Sequence, residues 1–347
     1  MRKILLTGFL CLAAACLLPL SAQTSTRPAG YHVTAKTPLS DSGSFWDYML
    51  TDPAHRHLFI SHTDHVLVYD MDQGKIVGSI APTPGVHGIA IAPELNRGFI
   101  SNGRDNSVTI FALDSLKNLQ TVAVTGKNPD AIIYDPASRR VFTFNGGSSN
   151  STAIDAVTGK VVGTITLGGR PEYAVPDGKG HVYNNLESTS EMLEIDSHSL
   201  KILHRWPMAP CQSPSGLAMD TGHRRLFAGC HNHMMAVINA DNGKVVTTVP
   251  IGSGVDANRF DPGTGLAFSS NGDGTITVVR EVTPNQFKVL GNVPTQRGAR
   301  TMALDTKTHD LYTVTAKFGP MPPRTPGQRF RRPSLVPGSF TLIKIQR

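Results

Sequence analysis

At 347 residues and a formal charge of +7, the chain is long enough for one large repeat domain or two ordinary ones, and basic enough to raise nucleic-acid binding. The charge is local, however. Arg2 and Lys3 sit in an N-terminal leader, and Arg324, Arg329, Arg331 and Arg332 share one stretch without an acidic residue, so the rest is nearly neutral and a uniformly basic surface is excluded.

The first 22 residues read as a secretory signal peptide. Arg2 and Lys3 precede an apolar run too short to anchor comfortably in a bilayer, and small residues precede Gln23. A lipoprotein reading on Cys16 is less favoured, because Ala13-Ala14-Ala15 lacks the usual Leu and no polar tether follows. The leader places the mature chain in the periplasm or outside the cell, with no transmembrane segment of its own. Cys211 and Cys230 then remain, an even count in an oxidising compartment, and a structural disulfide between them is the preferred reading over two buried thiols or a redox pair.

From residue 46 onward one unit of about 42 residues recurs seven times. Its anchor is an Asp, often followed by Pro, at Asp52, Asp135, Asp177, Asp220, Asp261 and Asp305, with Ala92-Pro93 in the second unit. Each unit carries short alternating runs rich in Val, Ile, Thr, Phe and Tyr between Gly, Asn, Asp and Pro. In the second unit they are HGIAIAP, RGFISNG, SVTIFALD and LQTVAVTG. A four-stranded meander of this size cannot bury both faces alone, so the copies must stack. The expected fold is all-β, a seven-bladed propeller of four-stranded antiparallel blades over residues 30–347. The last unit runs out after three strands, whereas 31–39 (YHVTAKTPL) looks like a fourth strand with no blade of its own. It is expected to complete blade seven and close the ring, which removes an exposed edge.

Five residues before each anchor, where each first strand meets the mouth of the central channel, stand Asp47, His87, Asp130, Glu172, Ser215, Asp256 and Arg300. Four carboxylates around one channel repel, by roughly 1.7 kcal/mol per pair at about 10 Å and an effective dielectric near 20. Arg300, His87, a bound cation or raised carboxyl pKa values must absorb that repulsion. Two readings stand: a site for a hard cation or a hydroxylated or cationic small molecule, or polar strand caps that belong to the repeat. His62, His65, His231 and His233 fall in top loops of blades one and five, where solvent-exposed histidines are preferred over metal ligands; His55 and His57 belong to the opposite face. The proline-rich insertion 318–339 interrupts blade seven on the top face. Its four arginines suit an anionic partner, surface polymer or nucleic acid, or else a solvated flap or lid.

Phrases such as GTITLGGRPEYAV, ADNGKVVTTVPIGSGVDA and DPGTGLAFSSNGDGTITVV resemble the YVTN-repeat, YncE-like family of secreted bacterial seven-bladed propellers over nearly the whole mature chain. The resemblance implies fold far more than function. With no Gly-x-Ser-x-Gly elbow, phosphate loop or dinucleotide fingerprint, the leading expectation is a non-catalytic protein that binds a small molecule, metal or protein through its top face. The architecture is also similar to that of secreted lactonases. That alternative would make Asp130, Glu172 and Asp256 ligands of a divalent cation such as calcium, and His87 a general base. A third reading is nucleic-acid binding through the arginine segment.

Overall fold

The computed structural model describes residues 28–39, 45–323 and 333–347; the leader and Arg324, Arg329, Arg331 and Arg332 lie outside them. Seven four-stranded antiparallel sheets form the ring. In six of them the strands pair in chain order, beginning with the first strands Trp46–Asp52, Val86–Ala92, Pro129–Asp135, Pro171–Pro176, Pro214–Asp220 and Val255–Asp261. Blade seven joins Ala303–Asp305, Asp310–Thr315 and Thr341–Gln346 to the N-terminal strand His32–Pro38, which pairs antiparallel with Thr341–Gln346. Both the fold and its closure by residues 31–39 are as expected from the repeat.

Burial follows the radial order. The three inner strands of blade one are almost wholly buried, whereas its outermost strand, Lys75–Ile80, is mostly exposed. Among the described residues the core divides into seven apolar clusters, each filling the gap between two neighbouring blades. Each sheet therefore buries both faces only because it has a copy on either side. Phe59 of blade one meets Phe111 of blade two edge to face at 5.6 Å, and Phe227 of blade five stacks on Phe260 of blade six at 5.2 Å.

The repeated Asp is a turn-maker on the bottom face. Its Oδ1 accepts backbone N–H groups two or three residues on, from Ala54 and His55 at Asp52, from Lys179 at Asp177, Gly222 at Asp220, Gly263 at Asp261 and Lys307 at Asp305. Four residues after the anchor the chain turns left-handed, at Arg56, Asn96, Arg139, Arg224 and His309. Three of those side chains reach back to the buried anchor of the preceding blade. Arg56 Nη1 meets Asp305 at 2.7 Å, Arg224 Nη1 meets Asp177 at 3.2 Å, and His309 Nδ1 meets Asp261 at 2.8 Å. The first of these contacts spans the seam where the ring closes. One motif thus makes the turn and ties neighbouring blades together.

Cys211 precedes the first strand of blade five, Cys230 ends its second strand, and the two form a disulfide on the top face. Both are buried against the cluster between blades four and five. Nineteen residues separate them, so the chain-entropy argument gives about 3 kcal/mol. The Cys211→Ser/Cys230→Ser double variant is accordingly expected to unfold at lower denaturant, with a slope no smaller than that of wild type because the uncrosslinked chain unfolds to a more open state; an unmoved midpoint would show the bridge to be energetically idle.

The insertion in blade seven leaves and re-enters the fold as a narrow antiparallel pair. Phe318 bridges Leu335, Gly319 N–H donates to Ser334 O at 2.7 Å, and Val336 N–H to Lys317 O at 2.9 Å. Phe318 leans on Trp46, ring centroids 6.3 Å apart, which brings the base of the insertion beside the channel mouth.

Candidate functional site

A shared backbone irregularity builds the site. In six blades the first strand bulges immediately after its first residue, where the pairing jumps from Trp46 to Met49, Val86 to Ile89, Pro129 to Ile132, Pro171 to Ala174, Pro214 to Leu217 and Val255 to Ala257. A bulge re-aims a side chain that regular pleating would point into the sheet-to-sheet gap. Asp47, His87, Asp130, Glu172, Ser215 and Asp256 all lie in these bulges. Arg300 precedes the short first strand of blade seven.

In four blades, backbone groups beside the ring positions are taken up by a polar residue near the end of a second strand. Ser61 Oγ accepts from Asp47 N–H at 2.9 Å, Ser101 Oγ donates to Asp130 O at 2.6 Å, and Asn185 Nδ2 donates to Ser215 O at 2.7 Å; Ser270 Oγ donates to Arg300 O. Ser101, Asn185 and Ser270 thus each hold the ring residue of the next blade. The same crowding demands glycine inside two bulges. A Cβ on Gly88 would lie 2.9 Å from Ile132 Cγ2, and one on Gly216 would lie 2.6 Å from Asn258 N.

Six of the seven positions come together in two groups, and Glu172 turns to a neighbour outside the ring. His87 Nδ1 lies 2.6 Å from Asp47 Oδ2 and 3.5 Å from Asp130 Oδ1. Across the mouth Arg300 Nε lies 3.3 Å from Asp256 Oδ2, and Ser215 Oγ donates to Asp256 Oδ1 at 3.4 Å. Glu172 has Arg170 Nη1 at 3.9 Å, and Arg170 is held in turn by Glu187. The side chains of Asp130, Glu172 and Asp256 are 17%, 15% and 12% exposed at the mouth, whereas that of Arg300 is 45% exposed. One oxygen of Asp130 and one of Asp256 accept no hydrogen bond.

Burial, reinforced by the neighbouring carboxylates, pushes Asp130 up to about 7, Asp256 up to about 6 and Glu172 well above the ordinary carboxylate range; His87 at Asp130, Arg300 at Asp256 and Arg170 at Glu172 pull the other way without cancelling the effect. Burial would lower His87, but Asp47 and Asp130 outweigh it and raise the imidazole to about 9. Asp256 keeps the Arg300 guanidinium charged. The ring is short of positive charge.

The residues beneath the ring carry no charge pattern that marks them in the sequence. Tyr48 and Tyr173, each one position further down the channel than a ring carboxylate, meet with centroids 5.1 Å apart, and Arg259 lies over Tyr173 at 5.3 Å. The ring therefore has an aromatic floor. Beside it, towards blade seven, opens a cavity of about 250 Å³ lined by Phe45, Trp46, Phe318 and Leu335, with Arg300 at its edge.

The grouping of metal-ligating atoms differs from the trio Asp130, Glu172 and Asp256. Among the described residues, the ring ligands whose donor atoms all approach within 4.8 Å are Asp47, His87 and Asp130. The top-loop histidines also divide. His231 and His233 are exposed, but His62 is fully buried, because it ends a second strand and stacks on Phe340 of blade seven at 4.4 Å. The expectation of an exposed loop histidine fails there.

No family model matches this chain, and no curated protein matches it. Solved structures do resemble it. Hydrazine synthase of Kuenenia stuttgartiensis is 16% identical, with a TM-score of 0.66 over 82% of this chain and 94% of the other. A structure of U3-55K is 10% identical, with a TM-score of 0.72 over 91% of this chain and 98% of that one. At such identities the likeness establishes the fold alone, a seven-bladed β-propeller.

Proposed function

We propose that this chain is a periplasmic or extracellular binding propeller of the YVTN-repeat type, which takes a small ligand with a cationic or hydroxylated head at the top-face ring and an apolar portion in the adjoining cavity. The observation that carries the reading is the deficit of positive charge. Three largely enclosed carboxylates at one channel mouth have their ionisation suppressed, which a cationic group would reverse. The aromatic wall of Phe45, Trp46 and Phe318 offers the apolar partner surface. A disulfide suits an oxidising compartment, and among the described residues no helix is long and apolar enough to cross a membrane.

The test is a thermal-shift and calorimetric comparison of an aromatic amine such as phenethylamine with its alcohol and with phenylacetate. The amine is expected to bind tightest, and the Asp130→Ala/Asp256→Ala variant to lose at least about tenfold in affinity, or about 1.4 kcal/mol. Equal binding by wild type and variant would make the ring structural. Phenylacetate as the preferred probe would move recognition to Arg300 and Arg170.

A hydrolytic reading rests on the Asp47–His87–Asp130 group, which has the donor chemistry for a divalent cation. The raised pKa of His87 weighs against it, since an imidazole charged at neutral pH is a poor general base.

A further inference from the structure

On the bottom face, far from the ring, the junction of blades five and six departs from the junctions on either side of it. Where Arg56, Arg224 and His309 reach back to the buried anchor of the preceding blade, the corresponding residue of blade six is Gly265, which has no side chain to offer Asp220. A second acid comes in instead. The third and fourth strands of blade six, Thr275–Thr283 and Gln286–Pro294, are nine residues each, against six or seven for the complete strands of the other blades. Their longer hairpin leans over blade five, where Arg225 donates to Pro284 O at 2.6 Å and to Asn285 Oδ1 at 3.1 Å. Glu281 N–H is fixed to Gly265 O at 3.0 Å.

Glu281 and Asp220 consequently face each other across the junction, with side chains 4% and 8% exposed. His223, in the blade-five turn, places Nδ1 2.8 Å from Asp220 Oδ2 and 3.0 Å from Glu281 Oε1. Glu281 Oε2 is buried and accepts no hydrogen bond. Arg225 spends its donors on Pro284 O, Asn285, His223 O and Arg224 O, and the structure shows none on either carboxylate. Burial and then Asp220 push Glu281 up to about 7. Two buried acids share a single imidazole where neighbouring junctions supply one cation for each acid.

We propose that Asp220, His223 and Glu281 form a binding site for a divalent transition cation of the zinc type, which joins blade five to blade six. Their donor atoms already lie within 4.8 Å of one another. One imidazole nitrogen with two carboxylates suits zinc better than calcium, which prefers an all-oxygen shell. His223 is 55% exposed, so the ion enters from solvent and keeps a water in its fourth position. The cation takes the place of the proton shared among the three groups and satisfies the orphaned oxygen of Glu281. The site is independent of the top-face ring.

The test uses the whole mature chain, stripped with chelator and melted with Zn²⁺, Mn²⁺ or Ca²⁺ as the only added ligand. Zn²⁺ at about one hundred times its Kd is expected to raise Tm by about 4 °C, with one zinc retained per chain. The Asp130→Asn variant should keep that response, which separates this site from the ring. Glu281→Gln should melt higher than wild type without metal, because a buried repulsion is gone, and should lose the zinc response; His223→Gln is the second variant that should lose it. Absence of a zinc shift in wild type, or an undiminished shift in Glu281→Gln and His223→Gln, overturns the proposal. So does a shift that disappears with Asp130→Asn instead.

Discussion

A chain that begins after Leu39 is expected to lose cooperative unfolding altogether, although it keeps the six self-contained blades. The segment removed carries Tyr31 and Leu39, 1% and 2% exposed, and covers Ile343 and Ile345, both fully buried. Tyr31 packs edge to face on Phe268 of blade six at 5.2 Å, and its hydroxyl donates to His309 O at 2.9 Å. Leu39 lies in the cluster between blades seven and one. The strand therefore contributes to the gaps on both sides of blade seven. Burying the two side chains is worth about 5 kcal/mol, comparable with the whole net stability of many domains, about 5–15 kcal/mol. The lost backbone pairs to Thr341–Gln346 add an open sheet edge. Far-UV circular dichroism during melting, with gel filtration, would show a broad transition and aggregates. A peptide spanning residues 28–39 added in trans should restore part of the cooperativity. A truncated chain that melts within about 2 °C of wild type would mean that the seam contributes little.

The closure was legible in the sequence because the repeat has a fixed period, so a unit with too few strands and a strand with no unit can be matched. The ring was legible for the same reason: counting back five residues from the anchor superimposes Asp47, His87, Asp130, Glu172, Ser215, Asp256 and Arg300 without knowing that a bulge turns the first six inward. The bulge itself left only a faint mark, the polar Ser61, Ser101, Asn185 and Ser270 near the ends of second strands. Which ring members touch depends on side-chain reach across blades and has no sequence signature. Hence His87 pairs with Asp47 and Asp130 while Glu172 turns to Arg170. Tyr48, Tyr173 and Arg259 were invisible as a floor, because single aromatic residues in strands carry no address. His62 resembles a loop residue in the sequence because it ends a strand, and only the packing of Phe340 from another blade buries it. The Asp220–His223–Glu281 group could have been narrowed down by asking which anchor lacks a basic residue four positions into the next unit: Asn96 leaves Asp52 to His55 of its own turn, and Gly265 leaves Asp220 to His223.

The ring carboxylates should cost stability at alkaline pH, and removing them should return it. Asp130 and Glu172 have folded-state pKa values above those of an unfolded chain, Asp130 at about 7. The folded state therefore holds their protons more tightly. Their contribution favours folding below about pH 4, shrinks as pH rises through about 7, and is a net penalty above it. His87 is raised to about 9 by Asp47 and Asp130 against burial. It contributes fully below about 6.5 and loses that contribution as pH rises through 9. Both groups make stability fall from pH 5 to pH 9. A rise of about three units at Asp130 corresponds to about 4 kcal/mol; Glu172 adds to it, and the loss of a partner for His87 subtracts. Asp130→Asn/Glu172→Gln is thus expected to be about 4 kcal/mol more stable than wild type at pH 8, or to melt about 6 °C higher, with little difference at pH 4. Desalted protein without added ions makes the comparison clean. If the variant instead melts below wild type at pH 8, these carboxylates are held by a positive partner in the folded state, and the ring is filled where the electrostatics describe it as wanting. The direction of one melting shift therefore decides whether the channel mouth waits for a cation or already depends on one.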